Sequence, residues 1–556
     1  MRILILQTTR MGDMLQTSPL IRMVRSLHPD AHITAMVRGM GKVIGQRHPD
    51  IDDIMVYNED DMFLDMRSRD SNRLLHAYEM ADKVVQDMRA RKFDLCYNVT
   101  HSIASAMLMR LAQIPTVVGA DIGKDAEFVL RGDWANYFFT SVFNRDYNDL
   151  NLCDITRSFA TNAPPCRELI FELRDEDRAF VDALWLEHGI QPGDFVACMQ
   201  LGASEMGKRW SVERFAQLSQ LLRAQRNAHV FLLGVDEEAP LGATFEAAAP
   251  GLAIPLFGKT SVPQVSAVLE RSNVLITNDT GTMHLAAAAR CPIVLVSVGH
   301  VHYRETGPFG EGHAAIEWRK ESLGRSDMLI KEEEERTRIC AEQVLRVVDH
   351  VTGSAPAIED DGLLDEVDVY QTRFAPDGCL QFYPALKRPM AERDLIRIAY
   401  RAMWLGQLPG SPPPEAMTEA ARQMLACYDG PHADTVAGWA KVLSAQFMEL
   451  ADVGERGVRG TTNLLHTLNG GGPMARARQE VALLTRLDEE VRIHSQLYAA
   501  CRPLAMMARF ERDNLEGADP KVLAETTLRI YEALRRRATG VARALDHIVN
   551  LWPESQ

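Results

Sequence analysis

Three short polar segments follow apolar runs in this sequence, and each combines residue types that bind anions or move protons. The first, residues 8–13, reads TTRMGD and lies between the apolar run at residues 2–6 and a stretch with helical spacing. Gly12 allows the backbone a tight turn and close approach to a ligand. Asp13 could accept a proton from an attacking sugar hydroxyl or could simply cap the helix. The remaining candidate binding residues of this loop are Thr9 and Arg10.

The second segment, residues 201–210, reads LGASEMGKRW and also follows an apolar run. A loop of small residues exposes backbone amides, and the ammonium group of Lys208 adds a positive charge. Ser204 and Lys208 are therefore candidate ligands of a diphosphate. The alternative is a solvated Lys-Arg pair beside a core tryptophan.

The third segment, residues 277–288, reads TNDTGTMHLAAA and predicts a helix start directly after a buried strand. Such a start directs free N–H groups and the positive end of the helix dipole toward a ligand. Thr280 adds a hydroxyl, and His284 lies one turn further along, near Asp279 and Gly281. His284 is a candidate anion or sugar ligand, although a histidine of the core is the usual alternative.

These segments are embedded in two series of alternating apolar runs and helical stretches, which are typical of doubly wound α/β sheets. The first series occupies residues 1–180 and the second residues 181–352. We predict two Rossmann-like domains that face a cleft.

The pattern changes after residue 352. Residues 353–367 are rich in small, proline and acidic residues and are predicted to form a linker. Residues 368–556 are predicted to be mainly helical, with a short strand pair near 368–385. The sequence assigns no role to this extension; a homo-oligomer interface, an acceptor-docking module and a packing domain are the alternatives.

Composition limits the classes of partner. The formal net charge of −15 argues against nucleic acid, since binding there requires Lys and Arg to neutralise phosphates. Nine cysteines without a CxxC pair suggest neither a zinc ribbon nor a disulfide framework. The first apolar run is too short for a signal peptide, and no run reaches the ~18 apolar residues of a membrane span. We expect a cytoplasmic protein with at most peripheral contact at the cytoplasmic face of the inner membrane.

Taken together, the three segments resemble glycosyltransferase family 9, the ADP-heptose:lipopolysaccharide heptosyltransferases, over residues 1–352. The resemblance implies the two-Rossmann GT-B fold and inversion at the anomeric carbon. It also implies that residues 1–180 form the acceptor-side domain and that residues 181–352 bind the nucleotide sugar. It further implies that Asp13 is the catalytic base, that Lys208 contacts phosphate, and that residues 279–284 cradle the sugar diphosphate. The acidic residue that meets the nucleoside is matched best by Asp236, with Glu237 as the alternative.

The resemblance thus predicts an inverting transferase that moves heptose or a related sugar from a nucleotide donor, expected to be ADP-linked, to a glycolipid, polysaccharide or protein acceptor, as in lipopolysaccharide biosynthesis. No cofactor is expected beyond the nucleotide-sugar co-substrate. No DxD-type acidic cluster lies at the expected sugar-diphosphate position, so we predict no metal site, with the helix dipole and side chains replacing a cation. Two alternatives remain: a sugar-nucleotide epimerase or hydrolase on the same fold, and a non-catalytic scaffold built around the helical extension.

Overall fold

The computed structural model describes residues 1–319, 336–355, 357–358 and 361–552. Of the predicted linker at residues 353–367, Pro356, Glu359 and Asp360 lie outside the described residues. The strands are β1 (Arg2–Gln7), β2 (His32–Val37), β3 (Asp53–Val56), β4 (Leu95–Asn98), β5 (Thr116–Ile122), β6 (Phe128–Arg131), β7 (Val196–Gln200), β8 (His229–Leu233), β9 (Ile254–Pro255), β10 (Val274–Thr277), β11 (Ile293–Ser297), β12 (Ala314–Trp318), β13 (Val367–Phe374) and β14 (Leu380–Pro384).

The α-helices of the two Rossmann-like halves are α1 (Met11–Leu27), α2 (Gly41–Gln46), α3 (Glu59–Met66), α4 (Ser71–Arg91), α5 (Ile103–Ala112), α6 (Asp133–Val142), α7 (Leu152–Arg157), α8 (Asp175–Glu187), α9 (Val212–Arg226), α10 (Ala239–Ala248), α11 (Val262–Glu270), α12 (Gly281–Ala288), α13 (Tyr303–Thr306) and α14 (Ala341–Val351). Those of the extension are α15 (Glu392–Gln407), α16 (Pro414–Leu425), α17 (Ala433–His466), α18 (Met474–Leu497), α19 (Arg502–Asp513) and α20 (Pro520–Leu551).

Two sheets confirm the predicted fold class. The first has the order β3-β2-β1-β4-β5-β6 and is parallel except for β6. The second has the order β14-β13-β12-β11-β10-β7-β8-β9 and is parallel from β12 to β9. In the first sheet, residues Ile3 to Leu6 are fully buried. Helices cover both faces of such a sheet, which explains why its central strands are apolar throughout rather than alternating.

The predicted strand pair near residues 368–385 is present as β13 and β14. These strands form an antiparallel hairpin whose first strand pairs with β12, so they extend the second sheet rather than standing apart from it. The predicted domain boundaries stay predictions, but the hairpin makes the second sheet continue past the linker.

The extension contacts both Rossmann-like halves. Arg401 of α15 is buried, binds both carboxylate oxygens of Asp377 at 2.8 Å, and donates to the backbone carbonyl of Asp149 in the first half at 2.7 Å. Beyond α19, the Glu516 carboxylate accepts from the Lys124 amide at 2.7 Å and pairs with Arg131. The extension therefore joins the first half to the hairpin that continues the second sheet.

None of the described helices is both long enough and apolar enough to cross a membrane.

Candidate active site

The loop after β1 presents Asp13 at the third position of α1. Asp13 is half-buried, and its Oδ2 accepts from the Arg10 backbone N–H at 3.0 Å. Thr9 donates its hydroxyl to Gln7 Oε1 at 2.6 Å, and the Thr8 amide donates to Thr100 Oγ1 at 2.9 Å, which ties this loop to the end of β4. The carboxylate thus caps the helix through one oxygen, and this contact fixes the orientation of the carboxyl group that would act as a base.

In the second half, α12 begins at Gly281, directly after β10. Thr280 is the residue that precedes the helix, and its hydroxyl lies 3.3 Å from that of Thr277. Because the first N–H groups of a helix have no carbonyl partner within it, they are available to an anion at this edge of the sheet. Asp279 and Thr280 are both half-buried at the same helix start.

The two helix starts meet. A Cβ atom built on Gly12 would lie 2.9 Å from His284 Cδ2 and 3.4 Å from Gly281 Cα. Glycine at position 12 is therefore needed for close approach between the halves. That Gly12 also lets the backbone approach a ligand stays a prediction. The loop that carries Asp13 and the segment at residues 279–284 consequently face one cleft.

His284 is 5% exposed, and its Nδ1 has no hydrogen-bond partner in the described part of the chain. Burial lowers the pKa of His284, while the negative charges of Asp279 and Asp13 act to raise it. The net direction is downward, so the imidazole is neutral near pH 7. A neutral imidazole with an unused ring nitrogen can donate to or accept from a bound ligand.

Lys208 also lies at this helix start. Its Nζ is 3.7 Å from Asp279 Oδ2 and 3.9 Å from Glu205 Oε1, and its side chain is 14% exposed. Ser204 is exposed in the same loop. The structure thus brings the second and third sequence segments together, and Asp279 holds the ammonium group at the mouth of α12.

The sequence did not single out Asn278, which is fully buried between these segments. Its Oδ1 accepts from the Trp210 amide at 2.9 Å, and its Nδ2 donates to the Leu201 and Gly202 carbonyls at 3.0 and 3.1 Å. One side chain thereby joins the loop that carries Lys208 to the start of α12.

Glu238 is a second residue that the sequence did not single out. Its Oε2 accepts from Gln200 Nε2 at 2.9 Å, and its carboxylate lies directly over Gly202, where a Cβ would overlap it at 1.5 Å. Asp236 is exposed, and its carboxylate lies against Gly258, where a Cβ would stand 1.8 Å from Oδ1. Asp236 and Glu238 thus present carboxylates to different sides of the end of β8, while Glu237 is exposed.

Glu305 of α13 is a buried acid that links this site to the first half. Its Oε1 lies 3.3 Å from Arg145 Nε, and its Oε2 accepts from Asn148 Nδ2 at 3.5 Å. Burial raises the pKa of Glu305, the Arg145 charge lowers it, and the Asp279 charge raises it. The electrostatic link to Asp279 places this interdomain contact beside the helix start.

Within the described residues, no group of three or more His, Cys, Asp or Glu side chains could hold a metal ion. That the reaction needs no metal stays a prediction.

Comparisons with known proteins bear on this cleft. Residues 167–322 match the model of Glycosyltransferase family 9 (heptosyltransferase). The chain is a glycosyltransferase that is similar to family 9. It is 22% identical over 308 residues to Lipopolysaccharide heptosyltransferase 3 of Escherichia coli, an alignment that covers 53% of this chain and 83% of that protein.

Two further matches show how much of the chain the similarity covers. Lipooligosaccharide heptosyltransferase 2 of Haemophilus influenzae is 32% identical over 91 residues, which is 16% of this chain and 26% of that protein. The crystal structure of the family 9 glycosyltransferase from Veillonella parvula DSM 2008 has a TM-score of 0.51 at 19% identity and covers 64% of this chain and 98% of that one. That likeness supports the GT-B fold predicted from sequence, over roughly the part of the chain that precedes the extension.

Proposed function

We propose that this glycosyltransferase moves heptose or a related sugar from an ADP-linked donor to a hydroxyl group of a glycolipid, polysaccharide or protein acceptor, with inversion at the anomeric carbon. The observation that carries the proposal is the contact between the two helix starts, with Gly12 against His284 and Gly281. It brings a carboxylate from one half to the anion-binding helix start of the other.

In the proposed reaction the acceptor hydroxyl oxygen forms a bond to the anomeric carbon as the bond from that carbon to the phosphate oxygen breaks. Asp13 takes the hydroxyl proton, and the nucleoside diphosphate leaves with the bonding electron pair. The hydrogen bond from the Arg10 amide orients the Asp13 carboxylate. Orientation of this kind reduces the entropy that the reaction must lose at the transition state.

The departing diphosphate gains negative charge as the bond breaks. The free N–H groups at Gly281 and the Lys208 ammonium can meet that charge, which would stabilise the transition state more than the ground state. Asp279 holds Lys208 near the helix start until a phosphate competes for it. These groups support a reaction in which no metal ion is needed.

For the nucleoside we propose a carboxylate at the end of β8. Asp236 remains the candidate from sequence, and the position of Glu238 over Gly202 adds a second. A carboxylate can accept hydrogen bonds from both ribose hydroxyls.

We further propose that the enzyme works in the cytoplasm with peripheral contact at the inner membrane, where a glycolipid acceptor would lie. The extension offers a surface for a homo-oligomer, since Met448 of α17 and Ile493 and Leu497 of α18 are exposed beside one groove. Exposed apolar groups of this kind are typical of association surfaces.

The test of donor identity is calorimetric titration of the full chain with ADP, UDP, GDP and CDP. We expect selective binding of ADP that Lys208→Ala and His284→Ala weaken at least tenfold, since a hydrogen bond to a charged group contributes about 1.5–3 kcal/mol. Lys441→Ala, an exposed lysine of the extension, is the matched control and should bind as wild type.

Selective binding of UDP or GDP would refute the ADP-linked donor. Binding of ADP that is unchanged in both variants would refute the proposed diphosphate site. Once an acceptor is in hand, the anomeric configuration of the product, read from NMR coupling constants against that of the donor, decides between inversion and retention.

A further inference from the structure

Five aromatic rings, four from the first half and one from the extension, cluster beside the loop that carries Asp13, and the reaction proposed above uses none of them. His101 stacks on Phe138 with ring centroids 3.7 Å apart and an interplanar angle of 21°. Its edge meets Phe139 at 5.4 Å. The extension supplies Phe510, which lies 5.9 Å from Phe139 and 6.2 Å from Phe143. We call these five residues the aromatic shelf.

The shelf lies at the carboxyl edge of the first sheet, where the acceptor must approach Asp13. Thr100, which precedes His101, accepts from the Thr8 amide at 2.9 Å. Asn98 at the end of β4 is level with Gly119 of β5, which pairs with Arg131, so α6 begins at the same edge. The rings of α6 and the loop of His101 therefore border the cleft on the side of the catalytic loop.

The His101 ring offers a flat, uncharged surface. His101 is exposed as a residue, yet its ring packs against Phe138 and Phe139, and this burial lowers the pKa of His101 to about 3, so the imidazole stays neutral at physiological pH. Because one face lies on Phe138 and an edge meets Phe139, the exposed part of the ring is on the opposite side. A neutral aromatic face in a polar cleft suits the C–H face of a pyranose, whose hydroxyl groups can remain in water.

We propose that the aromatic shelf is a binding subsite for a sugar ring of the acceptor, which stacks on His101 while Phe510 of the extension supports Phe139 from behind. This proposal rests on the transfer reaction proposed above and gives the extension a part in acceptor recognition. It predicts an acceptor whose reacting hydroxyl belongs to, or lies next to, a pyranose ring.

The test is saturation-transfer NMR of the full chain in the presence of ADP, with the methyl glycosides of mannose, glucose and heptose as probes. We expect saturation on the ring C–H groups of one sugar face. His101→Ala should weaken binding about three- to tenfold, in line with the energies of aromatic stacking. His101→Phe keeps the stacking surface and should bind within about twofold of wild type, and Phe510→Ala should weaken binding less than His101→Ala.

The matched control is His432→Ala, which removes an exposed histidine of the extension that is outside the shelf. It should bind the glycosides as wild type does. Equal binding by wild type and His101→Ala would overturn the proposal, as would the absence of glycoside binding while ADP still binds. That second result leaves the proposed transfer reaction standing, because ADP binding reports on the donor site alone. An octyl glycoside serves as a further probe. Saturation confined to its alkyl chain would also overturn the aromatic-shelf proposal, in favour of an apolar ligand.

Discussion

Replacement of Gly12 by alanine tests whether the contact between the two helix starts determines ligand binding. The added methyl group would stand 2.9 Å from His284 Cδ2, whereas carbon atoms ordinarily contact at ~3.5 Å or more. The backbone fixes the position of the methyl group, and Gly281 Cα lies only 3.4 Å from it as well. The imidazole must therefore shift by about half an ångström, or the two halves must separate slightly.

The magnitude follows from two opposing effects on stability and one on binding. Overpacking costs about 1–3 kcal/mol, while alanine is favoured over glycine in a helix by up to about 1 kcal/mol. The free energy of unfolding should consequently fall by only about 0–3 kcal/mol. A displaced His284 loses a hydrogen bond to a charged phosphate, which contributes about 1.5–3 kcal/mol, so the dissociation constant of the nucleoside diphosphate should rise roughly 10- to 150-fold.

Calorimetric titration with ADP, together with urea denaturation of the same samples, separates the two effects. The control is Gly438→Ala in α17, where a Cβ would meet no atom within 4 Å. This control should leave ADP binding unchanged and stabilise the chain by about 0.5–1 kcal/mol. An unchanged ADP affinity in Gly12→Ala would refute the argument that this contact positions His284 for the ligand.

Three further perturbations have expected outcomes. Asp13→Asn removes the proposed base and should lower the turnover number about 10²- to 10⁴-fold while ADP binds within about threefold; full transfer by the folded variant, measured with purified donor and acceptor, would exclude Asp13 as the base. Arg401→Ala leaves the buried Asp377 without its charged partner and should lower the free energy of unfolding, measured by urea denaturation, by about 3–5 kcal/mol. The control Arg422→Ala removes an exposed ion pair and should lower it by less than about 1 kcal/mol. Equal losses in the two variants would contradict this. Burial lowers the pKa of His313 to about 4, so on acidification the unfolded chain binds a proton here that the folded chain does not. The stabilisation is fully present above pH ~6.5, and the free energy of unfolding should fall by roughly 2 kcal/mol between pH 6.5 and 5. Denaturation curves of His313→Gln should show a shallower fall, and an identical slope would contradict this.

Much of the fold follows from the sequence because strands buried on both faces are apolar throughout. The run from Ile3 to Leu6 and the run from Val274 to Thr277 show this pattern, and each directs a polar segment to the same kind of sheet edge. The hairpin of β13 and β14 was predictable as a strand pair, but not its place in the second sheet. Strand pairing over long sequence separations depends on which edge is left open, and periodicity does not report this.

The candidate site was predictable where one segment holds the whole arrangement, as at residues 279–284. Asn278 was missed because its role depends on carbonyl groups of residues 201 and 202, which only the sheet topology brings to it. Its position directly after a buried strand was the available signal. Glu238 was missed because three consecutive acids, residues 236–238, follow β8. Only the geometry of the short turn that they form decides which carboxylate faces Gly202.

The contacts made by the extension differ in energy along its length. These differences determine where relative motion of the two halves costs the most free energy. Near the hairpin, Arg401 joins Asp377 and the Asp149 carbonyl away from water, and rupture of such a buried pair costs about 3–5 kcal/mol. The pair of Glu516 with Arg131 is partly exposed, and pairs of this kind contribute at most about 1 kcal/mol. Relative motion of the two halves is therefore least costly where the loop after α19 meets the first half, and most costly at the segment around Asp149. The buried acid Glu305 of the second half contacts Arg145 in that same stretch of chain and feels the charge of Asp279, so the strongly held stretch also carries an interdomain contact near the candidate site.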